Sequence, residues 1–247
     1  MRYLVLTDIH ANLEALDACL ADAGSRGYDA SLVLGDLVGY GADPNAVVER
    51  VRKLQPVAIV RGNHDKAACG LEDAEGFNPV AKSAVRWTFN TLTPEHREWL
   101  AALPCGPIEV DDTIEICHGS PFDEDAYIFD ELDVRRAIRM MSRPLCLFGH
   151  THYPITFALL DNGSDRPGLS SPVDTLITLQ ADTKYLVNPG AVGQPRDHDP
   201  RAAYALVDTA SGSVELFRVR YPVEQAQAKI VKAGLPEALA SRLAVGR

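Results

Sequence analysis

Short apolar runs alternate with amphipathic stretches of helical spacing through the first 150 residues. Tyr3 to Leu6, Leu32 to Leu34, Val57 to Val60 and Leu145 to Phe148 are brief, rich in Leu or β-branched residues, and sharply ended. Such runs predict buried strands. Between them Leu13, Leu16, Leu20 and Ala23 recur at helical spacing, with Asn12 placed to cap. Asp43-Pro44 sets a capping residue before proline at the first helical position and predicts a helix toward Leu54. Thr93-Pro94 repeats the signal ahead of Trp99 and Leu100. Alternation of this kind predicts parallel strands joined by helical crossovers.

The pattern changes at Pro107. Ile108 to Val110 and Thr113 to Cys117 flank Asp111-Asp112 as a hairpin. Strands then dominate: Ile155 to Leu160, Thr175 to Leu179, Lys184 to Val187, Ala203 to Asp208 and Val214 to Val219. Asn162 to Asp174, rich in Gly, Ser, Pro and Asp, is expected to be an exposed loop. The last stretch is helical, broken by Gly234-Leu235-Pro236. With no internal repeat, the economical reading is one α/β domain over residues 1–222, with a helical tail over 223–247 packed on it.

Composition narrows the partners. The 24 basic and 34 acidic residues leave a net charge of −10. A general nucleic-acid binder carries the opposite sign, so an anionic substrate needs a local positive charge that the composition does not show. A metal ion is the natural source. The five cysteines are odd in number and never form a C-x-x-C pair, which reads as reduced thiols in a cytoplasmic protein. The opening Met1 to Leu6 is too short an apolar stretch for a signal peptide. No run reaches the roughly 18 apolar residues of a membrane span.

The seven histidines carry the chemistry. Five stand just beyond predicted strands, in Asp8-Ile9-His10-Ala11, Gly62-Asn63-His64-Asp65, Cys117-His118-Gly119-Ser120 and Gly149-His150-Thr151-His152. Gly35-Asp36 follows a strand in the same way. Open α/β sheets bind ligands outside the carboxyl ends of their strands, so these side chains are aimed toward one crevice. Each piece has a plainer reading. Asp8-x-His10 alone reads first as a turn with a solvated imidazole, Gly35-Asp36 as a strand-to-loop signal, and Asn63-His64-Asp65 as a capping turn. His150 and His152 on one side of an extended segment also occur on half-buried strands. Together they weigh toward a metal site, because every plain reading would have to hold at once. His96, on a polar helix face, is expected at the surface, and His198 stays open.

The order D-x-H, G-D, G-N-H-D, a lone His and G-H-x-H resembles the calcineurin-like metallophosphoesterase superfamily from residue 1 to about residue 200. Gly35 to Gly41 and Asn188 to Asp197 resemble its small bacterial and archaeal members, some described as phosphodiesterases. The resemblance implies a sandwich of two mixed β-sheets flanked by helices, with two divalent metals at the strand ends. By the same resemblance one metal takes Asp8, His10, Asp36 and His152. The other takes Asp36, Asn63, His118 and His150, with Asp36 bridging. Two divalent cations against two carboxylates leave a charge of about +2 for a phosphate, since His and Asn ligands are neutral. His64 resembles the family's acid at the leaving oxygen, with Asp65 or another carboxylate orienting it. Asn12 and Arg196 are the candidate phosphate contacts.

The family's protein Ser/Thr phosphatases carry Asp-Arg where this chain has Gly39-Tyr40, which argues against a phosphoprotein substrate. The expectation is therefore a hydrolase of small phosphodiesters or nucleotides. A phosphomonoesterase or dinucleoside-polyphosphate hydrolase is the alternative, and a non-catalytic scaffold or a DNA-repair nuclease fits less well. The mixed N and O donor set accommodates Mn, Fe, Zn, Ni, Co or Mg. The resemblance implies Mn.

Overall fold

The computed structural model describes residues 1–160, 168–170 and 176–247, apart from the side chains of residues 160 and 168–170. In chain order the elements are β1 (Arg2–Leu6), α1 (Leu13–Arg26), β2 (Ala30–Val33), α2 (Pro44–Leu54), β3 (Ala58–Ile59) and α3 (Asn63–Cys69). Next come α4 (Pro79–Thr91), α5 (Pro94–Ala101), β4 (Ile108–Glu109), β5 (Ile114–Ile116), α6 (Glu131–Met140) and β6 (Leu145–Leu147). The chain continues with β7 (Pro154–Leu160), β8 (Gly168–Ser170), β9 (Leu176–Thr178), β10 (Thr183–Pro189), β11 (Ala202–Asp208) and β12 (Ser213–Val219). Two helices follow, α7 (Val223–Lys232) and α8 (Glu237–Val245).

The strands form two mixed six-stranded sheets, ordered β3-β2-β1-β11-β12-β9 and β4-β5-β6-β10-β7-β8. Within the first, β1, β2 and β3 run parallel; within the second, β5, β6 and β10 do. The continuous apolar character of β1 follows from burial on both faces. Tyr3 and Val5 join Leu32, Ile116 and Leu147 between the sheets. Leu4 and Leu6 face the other way, into a core with Leu16 of α1 and Val48 of α2. That core extends to Ala226 and Ile230 of α7 and Leu239 and Leu243 of α8, which seats the C-terminal helices on the first sheet. A third cluster packs Val134 and Ile138 of α6 on Phe148 and Phe157 of the second sheet. Each fully buried Leu, Val or Phe contributes about 1.5–3 kcal/mol.

Several local expectations hold. Asn12 Oδ1 accepts from the Ala15 N–H at the start of α1, and Thr93 Oγ1 from the His96 N–H at the start of α5. Asp111 turns the β4–β5 hairpin by accepting the N–H groups of Thr113 and Ile114. Three expectations need correction. Asp43 makes no side-chain cap for α2; its carboxylate pairs with Lys229 of α7 at 2.7 Å, tying the tail to the domain. His96 is buried rather than surface-exposed, because its Nδ1–H donates to Asn45 Oδ1 at 2.7 Å. The loop expected over Asn162 to Asp174 lies mostly outside the described residues, but Gly168–Ser170 within it is a strand. It pairs with the edge of β7 in the register Thr156 to Ser170, since an open edge offers main-chain hydrogen bonds to almost any sequence. Among the described residues no helix is long and apolar enough to cross a membrane.

Candidate metal centre

Five strand ends deliver the polar residues. Asp8 and His10 leave β1, Asp36 leaves β2, and Asn63 and His64 begin α3 beyond β3. From the second sheet, His118 leaves β5, and His150 and His152 leave β6. Because β1, β2 and β3 lie side by side and parallel, as do β5 and β6, their carboxyl ends face one edge of the sandwich. The chain turns sharply there. Asp8, His10, Asp36, His150 and His152 adopt left-handed φ values of 51°, 49°, 52°, 68° and 62°. Such residues cost about 1–3 kcal/mol each and persist where surrounding bonds over-determine them. Here the His10 N–H donates to Asp36 O at 2.9 Å, and the His150 N–H reaches the Asp8 carboxylate at 3.1 Å across the two sheets. Gly62 is required by close approach: a Cβ on it would stand 2.1 Å from Asp36 Oδ1.

The side chains fall into two groups that share a residue. Asp8, His10, Asp36 and His152 form one, and Asp36, His118 and His150 the other, with donor atoms of each group within 4.8 Å of one another. All are buried. Asp36 Oδ2 lies 3.5 Å from His10 Nε2 and 3.5 Å from His118 Nε2, one in each group. Its Oδ1 accepts from the His64 N–H at 2.9 Å. A single oxygen, Oδ2, is therefore left to serve both groups.

The four histidines are oriented alike. His10 Nδ1 donates to Val38 O, His118 Nδ1 to Leu34 O and His152 Nδ1 to Gln194 O, at 3.1, 2.7 and 2.6 Å. His150 donates through Nε2 to Asp125 O at 3.1 Å. A carbonyl can only accept, so each bond fixes the proton on one ring nitrogen and presents a lone pair on the other, the outer arrangement of metal-bound imidazoles. Consequently His10 Nε2 and His152 Nε2 face each other at 3.2 Å with Asp8 Oδ1 3.4 Å from the latter. Lone pairs brought this close repel unless a cation lies among them. Asn63 Oδ1 and His118 Nε2 are buried with no hydrogen-bond partner, which in a protein interior calls for an explanation.

Protonation matches. Burial pushes His10 and His152 well below the usual histidine range and His150 down to about 3, leaving them neutral. Burial lifts the Asp8 carboxyl to about 7. Asp36 stays ionised well below its usual range: burial opposes this, but the charges of His118 and His64 outweigh it. Burial likewise opposes protonation of His118, yet Asp36 beside it raises that imidazole to about 10. A cation at the second group would displace that proton and leave His118 neutral like the other three. Neutral imidazoles, two carboxylates and an orphaned amide oxygen fit a dinuclear divalent-metal site.

The remaining candidates divide. His64 belongs to neither group; burial lowers it to about 4, and its Nδ1 has no partner. Its ring packs against Tyr40 at 4.3 Å and Phe77 at 4.8 Å. Gly39 makes room for it, because a Cβ there would stand 2.5 Å from Nδ1. Asp65 does not reach the His64 ring: its carboxylate accepts from the N–H groups of Gly62 at 3.0 Å and Val38 at 3.1 Å, joining the loops after β2 and β3. Asn12 is fully engaged in the fold, since its Nδ2 donates to Gly193 O and the Tyr221 hydroxyl while Oδ1 caps α1. Arg196 Nη2 approaches the Tyr40 hydroxyl at 3.4 Å. His198 is exposed and accepts from Arg247 Nε at 3.2 Å.

Sequence reasoning misses several residues here. Tyr127 stacks on His150 at 3.9 Å and on Phe129 at 5.0 Å. Lys66 pins the segment that carries the Asp125 carbonyl through pairs with Glu72, Glu124 and Asp125. Neither follows a strand, and the main-chain carbonyls that orient the imidazoles have no side-chain signature at all.

Known proteins resemble this chain in sequence and fold. An uncharacterised protein of Methanocaldococcus jannaschii is 36% identical over 98% of this chain and 97% of its own. The crystal structure of a metallophosphoesterase from Sphaerobacter thermophilus superposes with a TM-score of 0.88 at 40% identity, covering 100% of both chains. A hypothetical protein of Pyrococcus horikoshii shares the fold at a TM-score of 0.79 and 22% identity, over 100% of this chain and 98% of that one. Residues 1–212, which hold every strand that feeds the two His/Asp groups, match the calcineurin-like phosphoesterase superfamily domain. The chain belongs to that superfamily.

Proposed function

We propose that the protein is a dinuclear metal-dependent phosphoesterase acting on small phosphodiesters or nucleotides. The observation that carries this reading is the pair of ligand groups joined through Asp36 Oδ2, with lone pairs facing one another at 3.2 Å. They adjoin an open cleft of about 260 Å³ lined by Asn63, His64, Phe77, Tyr127 and His150. Asp8, His10, Asp36 and His152 would hold one cation, and Asp36, Asn63, His118 and His150 the other. Bound there, two divalent ions supply Lewis acidity and a nucleophilic water at neutral pH. Manganese is the proposed metal, by likeness to the family. The chain's own residues do the rest. Carbonyls of Leu34, Val38, Asp125 and Gln194 hold the imidazoles in the ligating tautomer. His64, neutral and lining the cleft, presents a ring N–H to the leaving oxygen. Asp65 fixes the two loops between which His64 and Asp36 sit.

Removal of metal tests the reading. Stripped protein is expected to lose hydrolysis of p-nitrophenyl phosphodiesters and to recover it with Mn²⁺. Its melting temperature should rise with added metal as well, since an ion bound at 100 times its Kd stabilises the fold by about 2.7 kcal/mol. Full turnover by protein shown to be metal-free would remove the proposal.

A milder defect is expected for Asn63→Ala. The variant should lose one of its ions and keep the other, because every residue of the first group is untouched. Stripped of metal, it should melt no lower than the stripped parent, since the Asn63 oxygen makes no hydrogen bond to lose. Calorimetric metal titration and thermal melts check both halves. Loss of both ions would move Asn63 out of the second group.

A further inference from the structure

A second cleft, of about 630 Å³, adjoins the first and shares Tyr40, Asn78 and Tyr127 with it. Its far side is built by Arg196, Arg242 and Arg247. No aspartate or glutamate side chain lines it, in a chain whose acidic residues outnumber its basic ones by 34 to 24. Among the described residues many arginines face carboxylates, as Arg61 does Glu124 and Arg218 does Asp197. Among the described residues, Arg196 and Arg242 face none. Arg196 is fixed relative to the metal centre: its N–H donates to His152 O at 3.4 Å, and its guanidinium meets the Tyr40 hydroxyl. Tyr40 in turn packs on His10 at 4.6 Å and His64 at 4.3 Å. Arg242 comes from α8, whose Leu239 and Leu243 are buried in the core, so this arginine is held by a packed helix and not a loose end.

We propose that Arg196 and Arg242 form a subsite for a second phosphate group, so that the preferred substrates are phosphoesters carrying a further phosphate away from the scissile one. The substrate class rests on the phosphoesterase reading above; the anion subsite stands on its own residues. Guanidinium groups bind phosphate in bidentate, charge-assisted fashion, and partly buried arginines without carboxylate partners are available for it. Tyr127, which lines both clefts and is partly exposed, stands at the junction between the two phosphate positions. The C-terminal helices thereby become part of the specificity apparatus.

Two measurements test this separately. Metal-stripped protein is titrated with inorganic pyrophosphate by calorimetry. Binding is expected, and Arg242→Ala and Arg196→Ala should each weaken it by about ten- to a hundredfold, the worth of a charged hydrogen bond. Arg242→Lys, which keeps the charge but loses the fork, should fall between. No binding, or binding that both alanine variants leave intact, overturns the subsite. Metal-loaded protein is then assayed on thymidine 5′-(p-nitrophenyl phosphate) with and without a 3′-phosphate. The 3′-phosphate should raise kcat/KM by about tenfold or more, and Arg242→Ala should erase that ratio. Equal kcat/KM for the two esters overturns the substrate class. If neither ester is cleaved while pyrophosphate still binds through Arg196 and Arg242, the hydrolase reading fails and the anion subsite remains.

Discussion

Asp36→Asn is expected to strip both ions from the centre at once, where Asn63→Ala strips one. The reason lies in how the two carboxylate oxygens are used. Oδ1 accepts from the His64 N–H at 2.9 Å, and Oδ2 stands 3.5 Å from an imidazole of each group. An asparagine that keeps its oxygen toward His64 turns an NH2 toward both cation positions. Flipped, it sets that NH2 against the His64 N–H and leaves one neutral oxygen where a charge is needed. Neither rotamer restores the parent. Turnover should fall on the order of 10³-fold or more, beyond the roughly 10–100-fold that changes outside the ligand shell cost. Metal analysis of the purified variant against Asn63→Ala is the decisive comparison. Equal metal loss in the two would argue against Asp36 as the shared ligand.

For His64→Ala the opposite profile is expected: metal kept, chemistry lost. His64 stands outside both groups, and its Nδ1 makes no hydrogen bond that the fold would miss. Burial holds it down to about 4, so it meets the substrate as a neutral ring whose N–H can donate to the leaving oxygen. A group in that role is worth about 10²–10⁴ in rate. The loss should be smallest for nitrophenolate leaving groups, which need little help, and largest for alkoxides. Metal content and melting temperature should stay near those of the parent. An unchanged kcat on alkyl esters would take His64 out of the reaction, and loss of metal would give it a ligand or structural role instead.

Much of this centre is legible in the one-dimensional chain because strand-end residues leave a pattern. A short apolar run followed by Asp-x-His, Gly-Asp or Gly-His-x-His states both that a strand stops and that polar donors follow it. Where the same residue types serve the fold, the sequence offers nothing to tell the two uses apart. Asn12 spends its amide on a helix cap, Gly193 and Tyr221. Asp65 joins two loops and leaves the His64 ring alone. Asp43 looks like a cap and is an ion-pair partner, because Lys229 arrives from 186 positions away. His96 looks exposed on a polar face until Asn45 comes close enough to satisfy it.

The sequence by itself determined the alternation of strand and helix, the two-faced burial of β1, and the identity of the Asp, His and Asn residues that converge. Local spacing is sufficient for the elements and for placing these residues at strand ends, while their assignment to two metals came from the family resemblance. Tertiary structure alone decided which imidazole nitrogen is free, which oxygen of Asp36 faces both groups, and that α8 brings Arg242 to the cleft that Arg196 lines. Those properties depend on carbonyls, rotamers and packing between segments distant in the chain. Such contacts leave no periodic trace in any one segment, and they exist only once the two sheets and the C-terminal helices have closed on a common core.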